Sequence, residues 1–252
     1  MTTAKPTAQS DGTPDQGDAR ILAIDVGGTG LKAAVLNSEG EMLTERVRID
    51  TPHPCKPDDL VEALLKLIEP LADYTQVSVG FPGVVRNGKI VTAPNLGTEE
   101  LGGFDLASAL QERLGKPVRV INDADMQGFG AIEGNGLEMV ITLGTGFGSA
   151  LFMDGELAPH LEIAHLPFRK DKTYDQQIGD KARKKIGKKE WNSRVKRAIK
   201  TLRVLTHFDK LYIGGGNADR ISFELEPDVK IISNDCGVKG GAWLWKEKKG
   251  GE

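Results

Sequence analysis

The sequence predicts an α/β protein of two domains that face each other across a cleft. Strand-like and helix-like segments alternate along the chain. A hairpin pattern of apolar run, glycine-rich turn and apolar run occurs twice, at residues 21–41 and 139–156. With 252 residues and 39% hydrophobic content, the chain can bury one large core or two modest ones.

The first hairpin, ILAIDVGGTGLKAAVLNSEGE, reads as a buried strand, a tight turn, a second strand and a polar turn. Residues 57–71 then carry apolar side chains at helical spacing, QVSVGFPGVV is strand-like, and LASALQERLG is an amphipathic helix ending on a glycine cap. PVRVINDAD is a strand whose polar end opens a helix running to about residue 132. The second hairpin, MVITLGTGFGSALFMDGE, repeats the order of the first, which implies an internal duplication. A basic helical region over 174–207, the strand LYIGGG and a last helix over 237–248 complete the chain. The expected division is a disordered tail over 1–19, one α/β domain from 20–121 plus 237–252, and a second from 122–236.

Composition excludes several classes. Cys55 and Cys236 are too few for a disulfide framework or a zinc cluster, which points to a reducing compartment and a cytoplasmic protein. No apolar run is long enough to span a bilayer, and the first nineteen residues have no secretory signal pattern. The net charge of -3 hides an asymmetry. Residues 169–210 hold 15 Lys or Arg against 5 Asp or Glu, a local charge of +10 on an otherwise acidic chain. Such a stretch suits a polyanionic partner, although a solvated helix face has the same composition.

The two turns carry the chemistry. Gly27, Gly28, Thr29 and Gly30, with Lys32 just beyond, and Gly144, Thr145, Gly146 and Gly148, allow main-chain N–H groups to approach phosphate oxygens closely. One such turn is explained by a plain hairpin; two facing turns suit a phosphate chain held between them. Both turns lead into strands, whereas a dinucleotide fingerprint joins a strand to a helix, so NAD is not expected. The carboxylate of Asp25 is placed to hold Mg²⁺, through water. Taken by itself, Asp123 reads as the cap of the helix that follows it.

Together DVGGTGLK, VGFPGVV, APN at 93–95, INDAD at 121–125, LGTGFGSA, the ExxH of Glu162 and His165, and YIGGG resemble the ROK family of sugar kinases, within the actin-like, sugar-kinase and Hsp70 superfamily. The resemblance implies a two-domain actin-like ATPase (ribonuclease H-like) fold with a central cleft. It also implies Asp123 as catalytic base, with Asn95, Asn122, Glu162 and His165 binding a hexose such as glucose. Gly214, Gly215 and Gly216 would complete the donor phosphate and adenosine site, so ATP stays open as a donor, beside polyphosphate or alone in a kinase for glucose or an amino sugar. Family members are often dimers, which leaves a homodimer as an expectation.

The sequence departs from the family at two places. Ala164 stands where glycine is usual, and LPFRKDKTYDQQIGD at 166–180 replaces the cysteine-rich zinc motif and its closing Glu, so no structural zinc is expected at His165. Loss of those cysteines, with the basic stretch that follows, resembles the branch of the family that uses polyphosphate. The family also includes repressors, but about twenty polar residues ahead of the first strand are too few for a helix-turn-helix, and no DNA partner is expected.

Overall fold

The computed structural model describes residues 19–246, so the expected tail lies outside the described residues except for Ala19, as does the end of the expected last helix. Strands β1 (Ile21–Val26), β2 (Leu31–Leu36) and β3 (Val47–Ile49) form an antiparallel meander. Helix α1 (Pro57–Ile68) leads to β4 (Gln76–Phe81), which pairs parallel to β1. A small ribbon of β5 (Val85–Arg86) and β6 (Lys89–Ile90), then helices α2 (Thr98–Leu101) and α3 (Leu106–Leu114), precede β7 (Val118–Asn122), parallel to β4. The sheet order is β3-β2-β1-β4-β7.

Helix α4 (Asp123–Phe129) leads into the second half. There β8 (Leu137–Leu143), β9 (Phe147–Met153) and β10 (Glu156–Leu157) form a second antiparallel meander. A ribbon of β11 (Pro167–Arg169) and β12 (Lys172–Thr173) is followed by helices α5 (Tyr174–Ile178) and α6 (Asp180–Thr206). Strand β13 (Lys210–Gly214) then joins β8 in parallel, and β14 (Val229–Ile231) joins β13. The order β10-β9-β8-β13-β14 repeats that of the first sheet, position for position, so the duplication read from the glycine hairpins extends to the whole sheet.

Period-two burial explains why these strands are almost wholly apolar. In β1, Leu22, Ile24 and Val26 enter a core with α1 and α3, while Ile21 and Ala23 face the C-terminal segment. In β8, Met139, Ile141 and Leu143 pack with Trp191, Val195 and Leu202 of α6, and Val140 points the other way toward Phe152 and Tyr212. Helix α1 begins with Pro57 and acidic residues, and α3 is capped by Asp105 and ends on Gly115 in the left-handed conformation. No helix among the described residues is long and apolar enough to cross a membrane.

Four local expectations are corrected. The cap of α4 is Asn122, whose side-chain oxygen accepts from the N–H groups of Ala124 and Asp125 at 2.8 and 3.2 Å; Asp123 is the first helical residue. The helix also ends at Phe129, short of residue 132. The basic helical region is two helices broken at Gly179, and α6 is kinked at Gly187, where φ is 77°. The last helix is a short α7 (Cys236–Lys239) followed by a 3₁₀ turn over Gly240–Trp245.

Close packing accounts for that ending. Helix α4 lies between the two sheets and against α7, and a Cβ on Gly240 would stand 1.7 Å from the main-chain oxygen of Met126. The neighbour is backbone and cannot swing away. Gly240→Ala is therefore expected to lower unfolding stability by at least about 1–3 kcal/mol, the usual cost of overpacking. A thermal melt reads this, and an unchanged midpoint would contradict the contact.

Candidate active site

Between the two glycine turns lies a cavity of about 370 Å³. That volume falls within the range of sites for small organic ligands, which runs from roughly 300 to 1,000 Å³. Its lining is polar: Asp25, Lys32 and Arg46 from the first half, Asp123 and Gln127 on α4, and Glu162, His165 and Asp175 from the second.

Each turn is closed by a main-chain hydrogen bond, from Gly27 N–H to the Gly30 carbonyl and from Gly144 N–H to the Gly146 carbonyl, both 3.0 Å. The second turn has no room for a side chain at Gly146, where a Cβ would lie 2.1 Å from Oδ1 of Asp175. That same oxygen accepts from Phe147 N–H at 2.9 Å, so Asp175 buttresses the turn from α5. Gly27, Gly28, Gly144, Thr145, Gly146, Gly148, Gly215 and Gly216 line the cavity, as expected. Thr29, Gly30 and Gly214 are not among its lining residues. Arg48 occupies the space beside Gly30, and the Gln127 side chain fills that beside Gly214.

The structure brings all five residues implied for sugar chemistry to the lining of the cavity: Asn95, Asn122, Asp123, Glu162 and His165. Asn95 and His165 are exposed to the cleft and Glu162 is half-buried. Glu162 and His165 flank a single 3₁₀ turn over Ile163–His165. Asn122 spends its oxygen on the α4 cap and donates one amide hydrogen to the Gly83 carbonyl at 3.0 Å, which leaves its second amide N–H for a ligand.

Asp123 sits in a strongly anionic place. Burial, the nearby charge of Asp25, and the charges of Asp125 and Glu162 push its carboxyl up to about 7, against a hydrogen bond from Ala124 N–H that favours ionisation. Such a carboxyl holds its proton more tightly folded than unfolded. The folded state therefore loses stability as pH rises from near 4 to about 7.

Asp25 forms an ion pair with Lys32 at 2.9 Å, so Lys32, expected at the phosphates, is also a partner of the candidate metal ligand. Among the described residues no group of three or more His, Cys, Asp or Glu forms a metal cage, and both cysteines are free. The donor set fits Mg²⁺ better than zinc, because Mg²⁺ is commonly held by one or two carboxylates, water and substrate phosphates. Sequence reading missed Arg46, Gln127, Asp175 and Asn234 in the lining. Gln127 was within reach, since it lies one helical turn beyond Asp123 and so on the same face.

The family model for the ROK family matches residues 21–165. The chain belongs to the ROK family. A polyphosphate glucokinase of Mycobacterium tuberculosis is 27% identical over 263 residues, covering 96% of this chain and 97% of that protein. The solved inorganic polyphosphate/ATP-glucomannokinase from Arthrobacter sp. strain KM superposes with a TM-score of 0.81 at 30% identity, over 90% of this chain and 98% of that one. A ROK family glucokinase from Streptomyces griseus, solved with glucose and AMPPNP, gives 0.76 at 19% identity over 90% and 99%. The two duplicated sheets around one cleft are thus the actin-like ATPase fold of ROK sugar kinases.

The raised Asp123 carboxyl has a consequence that needs no substrate. Asp123→Asn is expected to melt above wild type at pH 8, with the difference shrinking toward pH 4, where the wild-type carboxyl is protonated when folded and about half so when unfolded. Equal melting differences at the two pH values would show that Asp123 titrates normally.

Proposed function

We propose that the chain is a polyphosphate-dependent glucokinase that also accepts ATP and forms glucose 6-phosphate. The chain is a ROK sugar kinase; the donor, the sugar and the roles of the residues are our reading. Its main support is where the basic segment begins. The N–H of Asp180, first residue of α6, donates to the carbonyls of Gly144 and Thr145 at 3.1 and 3.2 Å. The helix that carries most of the +10 charge thus starts on the second glycine turn. Lys181, Lys185, Lys188 and Lys189 are exposed, with no carboxylate in ion-pair range among the described residues. ATP has three phosphates and would use few of these charges; a long polyphosphate would use many. Two of the relatives named above carry polyphosphate in their names, and the third was solved with glucose and AMPPNP.

In this reading Asn95, Asn122, Glu162 and His165 orient the hexose so that one hydroxyl faces Asp123. Glycine N–H groups of both turns hold the donor phosphates. The sugar oxygen attacks the terminal phosphorus in line, and the bridging P–O bond breaks, leaving its electron pair on the departing phosphate. The hydroxyl proton passes to Asp123, whose raised pKa suits a base working near neutral pH. Mg²⁺, when bound, would neutralise charge on the donor, and Asp25 is the residue that would hold it.

The test is glucose phosphorylation with long polyphosphate and with ATP, each with Mg²⁺, in wild type and in a variant with Lys181, Lys185, Lys188 and Lys189 changed to Gln. The variant should bind polyphosphate more weakly and with a shallower salt dependence, because fewer counterions are released. Its KM for ATP should be unchanged. Activity of wild type with ATP alone at low salt would overturn the donor assignment. Full use of polyphosphate by the Gln variant would reduce this part of α6 to a solvated face.

A further inference from the structure

Behind the cavity wall, outside its lining, stands a histidine that neither the fold nor the proposed reaction has used. We infer that His160 is a positioning residue: it ties the loop carrying Glu162 to helix α4 two residues beyond Asp123, and so sets the sugar-holding carboxylate relative to the base. This rests on the reading of Glu162 and Asp123 given above.

Three contacts fasten the loop after β10. Two reach β9: Ala158 N–H donates to the Leu151 carbonyl at 2.9 Å, and the Ser149 hydroxyl donates to the Leu161 carbonyl at 3.1 Å. The third crosses to α4, where Nδ1 of His160 lies 3.0 Å from both carboxylate oxygens of Asp125. Asp125 is only 3% exposed, and among the described residues His160 is the one hydrogen-bond donor to its carboxylate. The other ring nitrogen has no hydrogen-bond partner among the described residues and stands 3.8 Å from Oε2 of Glu162.

The shape of the ring makes it suitable for this. Its two nitrogens lie on opposite edges, so one side chain can face carboxylates on opposite sides, whereas the two N–H donors of an amide diverge from one nitrogen. Charge supports the same assignment. Burial works against a charged ring, but the hydrogen bond to Asp125 and the charges of Asp125 and Glu162 outweigh it and push His160 up to about 10. As a cation it offers two N–H donors, one engaged by Asp125 and one directed at Glu162. It also offsets two of the carboxylates that crowd Asp123.

The experiment is steady-state kinetics of His160→Gln, His160→Ala and Glu162→Gln with glucose and polyphosphate. His160→Gln can keep a bond to Asp125 and hence the fold, but loses the second donor edge. KM for glucose should rise in both His160 variants, by roughly 10–100-fold in His160→Ala, which loses the hydrogen bond to a charged group at Asp125, and by less in His160→Gln, which loses only the charge facing Glu162, while KM for polyphosphate stays the same. Neither constant depends on the fraction of enzyme folded. A normal glucose KM in His160→Gln and His160→Ala beside a raised one in Glu162→Gln would overturn the role of His160 alone. Normal values in all three would overturn it together with the assignment of Glu162.

Discussion

The site depends on one short interaction, the side chain of Asn122 closing the junction between β7 and α4. Its oxygen satisfies two of the N–H groups left open at the start of a helix, and its amide reaches back to Gly83 after β4. One buried side chain therefore fixes where the first sheet ends, where the helix starts and how that helix meets the loop beside it. Asp123 follows as the first helical residue and is left free to face the cavity. Only Ala124 N–H among the described main-chain donors reaches its carboxyl, at 2.9 Å, because the Asn122 oxygen caps the helix in its place.

Around that junction the duplicated sheets set a problem of charge. Asp25, Asp123, Asp125 and Glu162 converge on the cleft between the glycine turns, and like charges so placed repel one another. The structure answers with cations from separate elements. Lys32 pairs with Asp25, and His160 pairs with Asp125 and faces Glu162. The carboxylate left without a cation of its own, Asp123, has a pKa raised toward neutrality, as a general base requires.

Much of this was legible in the sequence because it is local. Strand, glycine turn and strand can be read from neighbouring residues, and so can the family motifs that gather around the cleft. Packing between distant segments was not. Gly187 kinks α6 inside a lysine-rich run that reads as continuous helix, and Gly240 reads as a helical position until Met126 is known to press against it. His160 and Asp125 are 35 residues apart in chain positions that share no periodicity, so their pairing appears only when the loop after β10 is laid over α4. The cap itself turned on one residue: Asn and Asp are both good caps, and only the geometry chose Asn122.

The central claim is that Asp123, held at the start of α4 with a raised pKa, takes the proton from the sugar. The most direct measurement is the pH dependence of kcat/KM for glucose in wild type and in Asp123→Asn, since this ratio reports groups in the free enzyme. Wild type should rise with pH through a limb near 7 and then level off, as the carboxyl loses its proton. Asp123→Asn should be slower by roughly 10²–10⁴-fold and lack that limb. A variant that kept both the rate and the limb would show that the base lies elsewhere and that Asp123 serves only the helix.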